Sequence, residues 1–84
     1  KNAGITDEYF ETINSLPNLM KLRVDRNDIT DAGVSKLTDL KNLEYINLSF
    51  TKITDDALVA INKLENLDKA YYYSTGVKNS DGVN

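Results

Sequence analysis

The run Asp25-Arg26-Asn27-Asp28 brings three oxygen-bearing side chains together, as the start of a calcium loop does. Such a loop needs an oxygen ligand at its fifth place, glycine at its sixth and a bidentate glutamate at its twelfth. Counted from Asp25, those places hold Ile29, Thr30 and Lys36, so the pattern argues against calcium. Asp55-Asp56 is a carboxylate pair, but neighbours on a helix point in different directions. Complementing the positive end of a helix dipole accounts for them better than acid–base chemistry. Ser15, Ser35, Ser49, Ser74 and Ser80 have no histidine to activate them, because the chain contains none. It also has no cysteine, hence no disulfide, zinc knuckle or thiol nucleophile. Asn47-Leu48-Ser49 is formally a glycosylation sequon, but its place in a strand pattern favours coincidence. The residues imply no enzyme, no metal and no cofactor.

What remains is the chemistry of recognition. Lys21, Arg23 and Asp25 alternate along the chain, as do Tyr45, Asn47 and Ser49, and then Lys69, Tyr71 and Tyr73. If each trio lies on a strand, its members share one face of a sheet. That face holds three tyrosines, three cations and one anion. Tyrosine and arginine are enriched among residues that dominate protein interfaces, so Lys21, Arg23, Tyr45, Asn47, Lys69, Tyr71 and Tyr73 form the candidate binding set. The plainer reading is a solvated sheet whose aromatics serve strand propensity and cross-strand packing. Bases could also stack on such tyrosines, but the surplus of positive charge is small and argues against nucleic acid. Phe50 follows the second strand, where Arg26 and Ser74 stand in the other units. It is expected to plug a turn, with a contact at the rim as the alternative.

The elements that must position these residues come from a repeat. Ile5-Thr6-Asp7 returns as Ile29-Thr30-Asp31 and Ile53-Thr54-Asp55, a period of 24 residues. The same shift maps Ile13 onto Leu37 and Ile61, Leu16 onto Leu40 and Leu64, and Asn18-Leu19 onto Asn42-Leu43 and Asn66-Leu67. Leu22/Val24, Ile46/Leu48 and Ala70/Tyr72 alternate with mostly polar neighbours, the rhythm of a half-buried strand. Phe10/Ile13, Val34/Leu37 and Leu58/Ile61 are spaced as on one face of a helix. Thr6, Thr30 and Thr54 stand where helices should begin and can cap them, and the aspartate after each suits the dipole. Strands are expected near 20–24, 44–48 and 68–72. One such unit cannot bury its own apolar side, whereas a stack of three makes a continuous core.

The run Leu19-x-x-Leu22-x-Val24-x-x-Asn27-x-Ile29 resembles the leucine-rich-repeat signature. Leu43-x-x-Ile46-x-Leu48-x-x-Thr51-x-Ile53 resembles it with threonine for asparagine, and Leu67-x-x-Ala70-x-Tyr72-x-x-Thr75-x-Val77 is the most divergent copy. The stretch 29–37 resembles the bacterial, ribonuclease-inhibitor-like branch with helical outer sides. The resemblance implies an α/β fold: a right-handed, curved solenoid with a parallel sheet on its concave face and short helices on its convex face. It implies further that Asn27 tucks inward to satisfy the turn backbone, a role that Thr51 and Thr75 can fill only in part. Tyr72 is left between two roles, core residue and end cap.

The 84 residues are room for one modest domain, taken as 1–84 with about three repeats. No apolar run approaches the roughly 18 residues of a membrane-spanning helix. The net charge of −3 gives no general pull toward nucleic acid or anionic membranes. Acidic residues concentrate in the helical segments, leaving the concave side slightly basic. The chain opens at Lys1 and is read as a piece of a longer solenoid. Val77 starts a fourth unit that Asp81-Gly82-Val83 continues, so an open edge and end-to-end self-association are expected. The functional expectation is a protein-binding module whose partner is another protein. The alternative is a structural spacer or the targeting arm of a larger multidomain protein.

Overall fold

The computed structural model of the chain describes residues 4–78. Helix and strand alternate as α1 (Tyr9–Asn14), β1 (Lys21–Arg23), α2 (Asp31–Val34), β2 (Tyr45–Asn47), α3 (Ala57–Ile61) and β3 (Lys69–Tyr71). The strands form one parallel sheet in the order β1-β2-β3. Sequence-equivalent residues sit side by side: Lys21 with Tyr45 and Lys69, Leu22 with Ile46 and Ala70, Arg23 with Asn47 and Tyr71. This register keeps every apolar strand residue on one side, and a slip of one place would turn Ile46 out to solvent.

The strands are shorter than the five-residue segments expected, because the chain soon leaves each one for a sharp turn. Ladder bonds continue past the strand ends, as when the Val24 N–H donates to the Asn47 carbonyl at 3.1 Å and Leu48 to Tyr71 at 2.9 Å. Arg26, Phe50 and Ser74 then take left-handed conformations, with φ of 62°, 59° and 54°. A side chain in that region costs about 1–2 kcal/mol. The turn is supported by hydrogen bonds from the Arg26 N–H to the Ser49 carbonyl and from Phe50 to Tyr73, at 2.9 and 2.7 Å. Inside the first turn, the Asn27 amide donates to the carbonyls of Val24 and Asp25 and accepts from the Ile5 N–H. Thr51 and Thr75 replace part of this, each hydroxyl donating to the carbonyl three residues back, at 2.6 and 2.8 Å.

Only α2 begins directly after its threonine, with the Thr30 hydroxyl accepting from the Ala32 N–H. Turns occupy 7–8 and 55–56, so α1 and α3 start later than expected. Thr6 lies in a bridge with Asp28 rather than capping α1. The aspartates also have a role beyond the helix dipole: each reaches the next repeat. The Asp7 carboxylate accepts from the Thr30 N–H at 2.8 Å and from its hydroxyl at 2.5 Å. Asp31 does the same to Thr54 at 2.7 and 2.6 Å, and Asp55 accepts from the Lys78 N–H at 2.7 Å. A carboxylate acceptor strengthens such bonds. Gly33 lies against the first of these staples, where a Cβ would run into the Asp7 carboxylate. The return loops are tied similarly, Asn42 donating to the Pro17 carbonyl and Asn66 to that of Lys41.

Between sheet and helices, Phe10, Val34, Leu37, Leu40, Leu43, Ile46, Leu48, Ile53 and Ile61 are buried. Ile13 is only partly buried and Leu16 is exposed, although their equivalents in the later repeats are core residues. Among the described residues, no repeat precedes the first to cover them. Tyr72 packs against the core. Its hydroxyl is buried without a hydrogen-bond partner, and burial pushes its pKa up to about 12.

Candidate functional site

Strand alternation turns Lys21 and Arg23 of β1, Tyr45 and Asn47 of β2, and Lys69 and Tyr71 of β3 away from the core. Lys21, Arg23 and Lys69 are exposed, while Tyr45, Asn47 and Tyr71 are half-buried. The tyrosines meet. The Tyr45 and Tyr71 rings lie 5.5 Å apart at 55°, and those of Tyr71 and Tyr73 lie 5.9 Å apart and nearly parallel. Both are favourable offsets for aromatic pairs. Tyr73 lies just past β3 and is 65% exposed.

Two residues expected on this face behave differently. Ser49 is buried, because the chain is already bending into the left-handed turn and strand alternation no longer holds. Its hydroxyl accepts from the Tyr73 N–H at 3.0 Å, and its own N–H donates to Asn47 Oδ1. Asp25 is largely covered and lies in a two-point ion pair with Arg23, both contacts at 3.2 Å. The hydrogen bond from Arg23 holds the Asp25 carboxyl below the usual carboxylate range, and the same contact raises the pKa of Arg23. With Asp25 committed to Arg23 and Asn27 committed to its turn, the start of a calcium loop has lost its ligands. Among the described residues, no group of three or more acids, histidines or cysteines converges to hold a metal ion.

Phe50 is not a plug. Its ring is 46% exposed, with the Arg26 guanidinium 4.2 Å from its centroid. The left-handed backbone at 26, 50 and 74 turns these side chains outward at the rim of the sheet, beside an open depression lined also by Asn27, Asp28, Thr51 and Lys52. The matching positions of the three residues were visible in the sequence, but their common backbone conformation was not. Lys52 pairs with Asp28 here at 3.0 Å.

A family model described as leucine rich repeat matches residues 17–69, from the first return loop to the start of β3. The chain belongs to the leucine-rich-repeat family. Its parallel sheet and short helices fit the α/β repeat fold of leucine-rich-repeat proteins, which commonly mediate protein–protein binding and are generally not enzymes. No curated protein and no solved structure matches the chain significantly. Among the described residues, no helix is long and apolar enough to cross a membrane.

Proposed function

We propose that this leucine-rich repeat is a protein-binding module whose contact surface is the tyrosine-rich face of its sheet. In this reading the chain is one domain over 1–84, a curved solenoid of the bacterial, ribonuclease-inhibitor-like type, with that face on its concave side. The observation that carries it is the cluster of Tyr45, Tyr71 and Tyr73, in ring contact on the side of the sheet away from the core. Tyrosine gives large contact area at low entropic cost and keeps a hydroxyl useful in a wet interface. Lys21, Arg23, Asn47 and Lys69 surround the cluster with donors.

Partner capture with the full-length protein, followed by affinity and melting measurements on three variants, tests the proposal. Tyr71→Ala and Tyr73→Ala should each weaken binding by about 1–3 kcal/mol with little change in stability. Tyr72→Ala should do the reverse, since its ring packs against the core. Unchanged affinity in both Tyr71→Ala and Tyr73→Ala, with a loss in Glu8 or Asp56 variants of the helical side, would remove the tyrosine face from the interaction. If no partner is captured, the chain is better read as a structural spacer or as a targeting arm.

The same reading carries an expectation of end-to-end association through the edges of the sheet, β1 and β3 lying at its two ends among the described residues. Light scattering that stays monomeric over a wide concentration range removes that expectation.

A further inference from the structure

Resting on the sheet face proposed above, we infer that Asn47 and Ser49 are positioning residues, a two-step relay that presets the Tyr73 ring against Tyr71. The relay begins where the ladder between strands ends. Lys69 donates its N–H to the Glu44 carbonyl at 3.0 Å, as Tyr45 does to Met20 at 3.2 Å. Rungs of a parallel ladder recur at every second residue, so the Tyr73 N–H is due at the Leu48 carbonyl and the Ser49 N–H at that of Val24. Both carbonyls serve the turns instead. Thr51 donates its hydroxyl to Leu48 at 2.6 Å, and the Asn27 amide donates to Val24 at 3.2 Å. The two N–H groups are diverted onto side chains: Ser49 donates to Asn47 Oδ1 and Tyr73 to Ser49 Oγ, each at 3.0 Å.

The Tyr73 carbonyl in turn accepts from the Phe50 N–H at 2.7 Å, so the second repeat holds the backbone of Tyr73 on both sides of its Cα. With that Cα fixed, the ring lies 5.9 Å from that of Tyr71 and nearly parallel to it, although Tyr73 is 65% exposed. An exposed side chain without such support gives up its freedom only when a partner orders it, and presetting the ring removes that cost from binding. The preceding junction is built differently. Asp25 stands where Ser49 does one repeat later, but its carboxylate pairs with Arg23 at 3.2 Å, and the Ser49 N–H turns to Asn47 on its own strand. Among the described residues, the relay therefore lies at the junction that carries Tyr71 and Tyr73. The Asn47 oxygen serves Ser49 rather than a partner.

The test is solution NMR of the free 84-residue chain, following amide exchange along β3 and the contact between the Tyr71 and Tyr73 rings, beside thermal unfolding. Ser49→Ala should speed exchange of the Tyr73 amide about tenfold and abolish the ring contact, while the Tyr71 amide and the melting temperature stay close to the parent. Asn47→Ala should act in the same direction to a smaller degree. Asn47→Asp keeps an acceptor for the Ser49 N–H and should match the parent. Unchanged Tyr73 exchange and ring contact in Ser49→Ala would overturn the inference. So would equal effects of Asn47→Ala and Asn47→Asp. Acceleration spread evenly over β3, with a matching fall in melting temperature, would make the two residues general supports of the repeat and overturn it as well. These readouts need no partner, so their failure is distinct from failure of the sheet-face reading, which the affinities of Tyr71→Ala and Tyr73→Ala decide.

Discussion

The two sides of the three-stranded sheet are built from alternate residues of the same strands, yet they are held by different forces. Toward the helices, Leu22, Ile46 and Ala70 are buried in an apolar core, with Val24 and Leu48 beside them. Away from the helices, the aligned neighbours Lys21 and Lys69 are exposed and Tyr45 between them is half-buried against Tyr71. The core side contributes stability through removal of apolar surface from water, and the other side contributes little. Composition on the outer side is therefore free to serve binding, and a single strand carries both jobs without conflict.

Substitutions on each side should separate accordingly. The largest effect is expected for Ile46→Ala at the centre of the core, about 2–5 kcal/mol of stability, read by urea or thermal unfolding. A loss under 1 kcal/mol would mean that the repeats are packed more loosely than the burial indicates. Next comes Asp31→Ala, which leaves the Thr54 N–H and hydroxyl without their carboxylate acceptor. About 1–2 kcal/mol should be lost, since these bonds are charge-assisted but exposed to water. Asp31→Asn should recover part of it, because the amide oxygen still accepts.

Tyr72→Phe tests the core side from the opposite direction. Removing a buried hydroxyl that has no partner should raise stability by about 1 kcal/mol. Its titration gives a second readout. The folded-state pKa of about 12 lies above the ordinary value near 10, so the unfolded chain releases this proton first. The stability linked to Tyr72 is thus complete below about pH 10 and falls as pH rises toward about 12. In Tyr72→Phe that part of the alkaline decline should disappear, and a parent-like decline would assign it to another group. The smallest change is expected for Tyr45→Ala, under about 0.5 kcal/mol in stability. A larger loss would show that the tyrosine cluster supports the sheet itself, and the contrast between the two sides would weaken.

Much of this arrangement was legible in the residues. The 24-residue recurrence of Ile-Thr-Asp gave the repeat, and the alternation of Leu22 with Lys21 and Arg23 gave the inner and outer sides. Parallel, in-register pairing then placed Tyr45 beside Lys69 and Asn47 beside Tyr71. The departures lie where the chain stops being regular. Strand alternation turns Ser49 outward and turn-filling turns Phe50 inward, but the left-handed backbone at Phe50 buries the first and exposes the second. Strand periodicity carries no signal for that change. In the sequence each aspartate has only a local role to show, beside the helix that follows it. Their threonine partners lie 23 residues away, a separation that only the stacked fold brings into contact. The fourth-unit residues Asp81, Gly82 and Val83 lie outside the described residues.

The aspartate staples also affect the order in which the molecule comes apart. Asp7 to Thr30 and Asp31 to Thr54 each join one repeat to the next and to no other. Stability in such a chain is set by links between neighbours, so the repeats are coupled like adjacent sites on a line. Within the described residues β2 is paired in the sheet on both sides and β1 and β3 on one, while Asp55 carries the same kind of link from the third repeat on to Lys78. Amide hydrogens of β2 should therefore exchange with solvent more slowly than those of β1 and β3, through openings that begin at the flanks and travel inward. Cutting the Asp31 staple should divide that gradual protection into two blocks that exchange at separate rates.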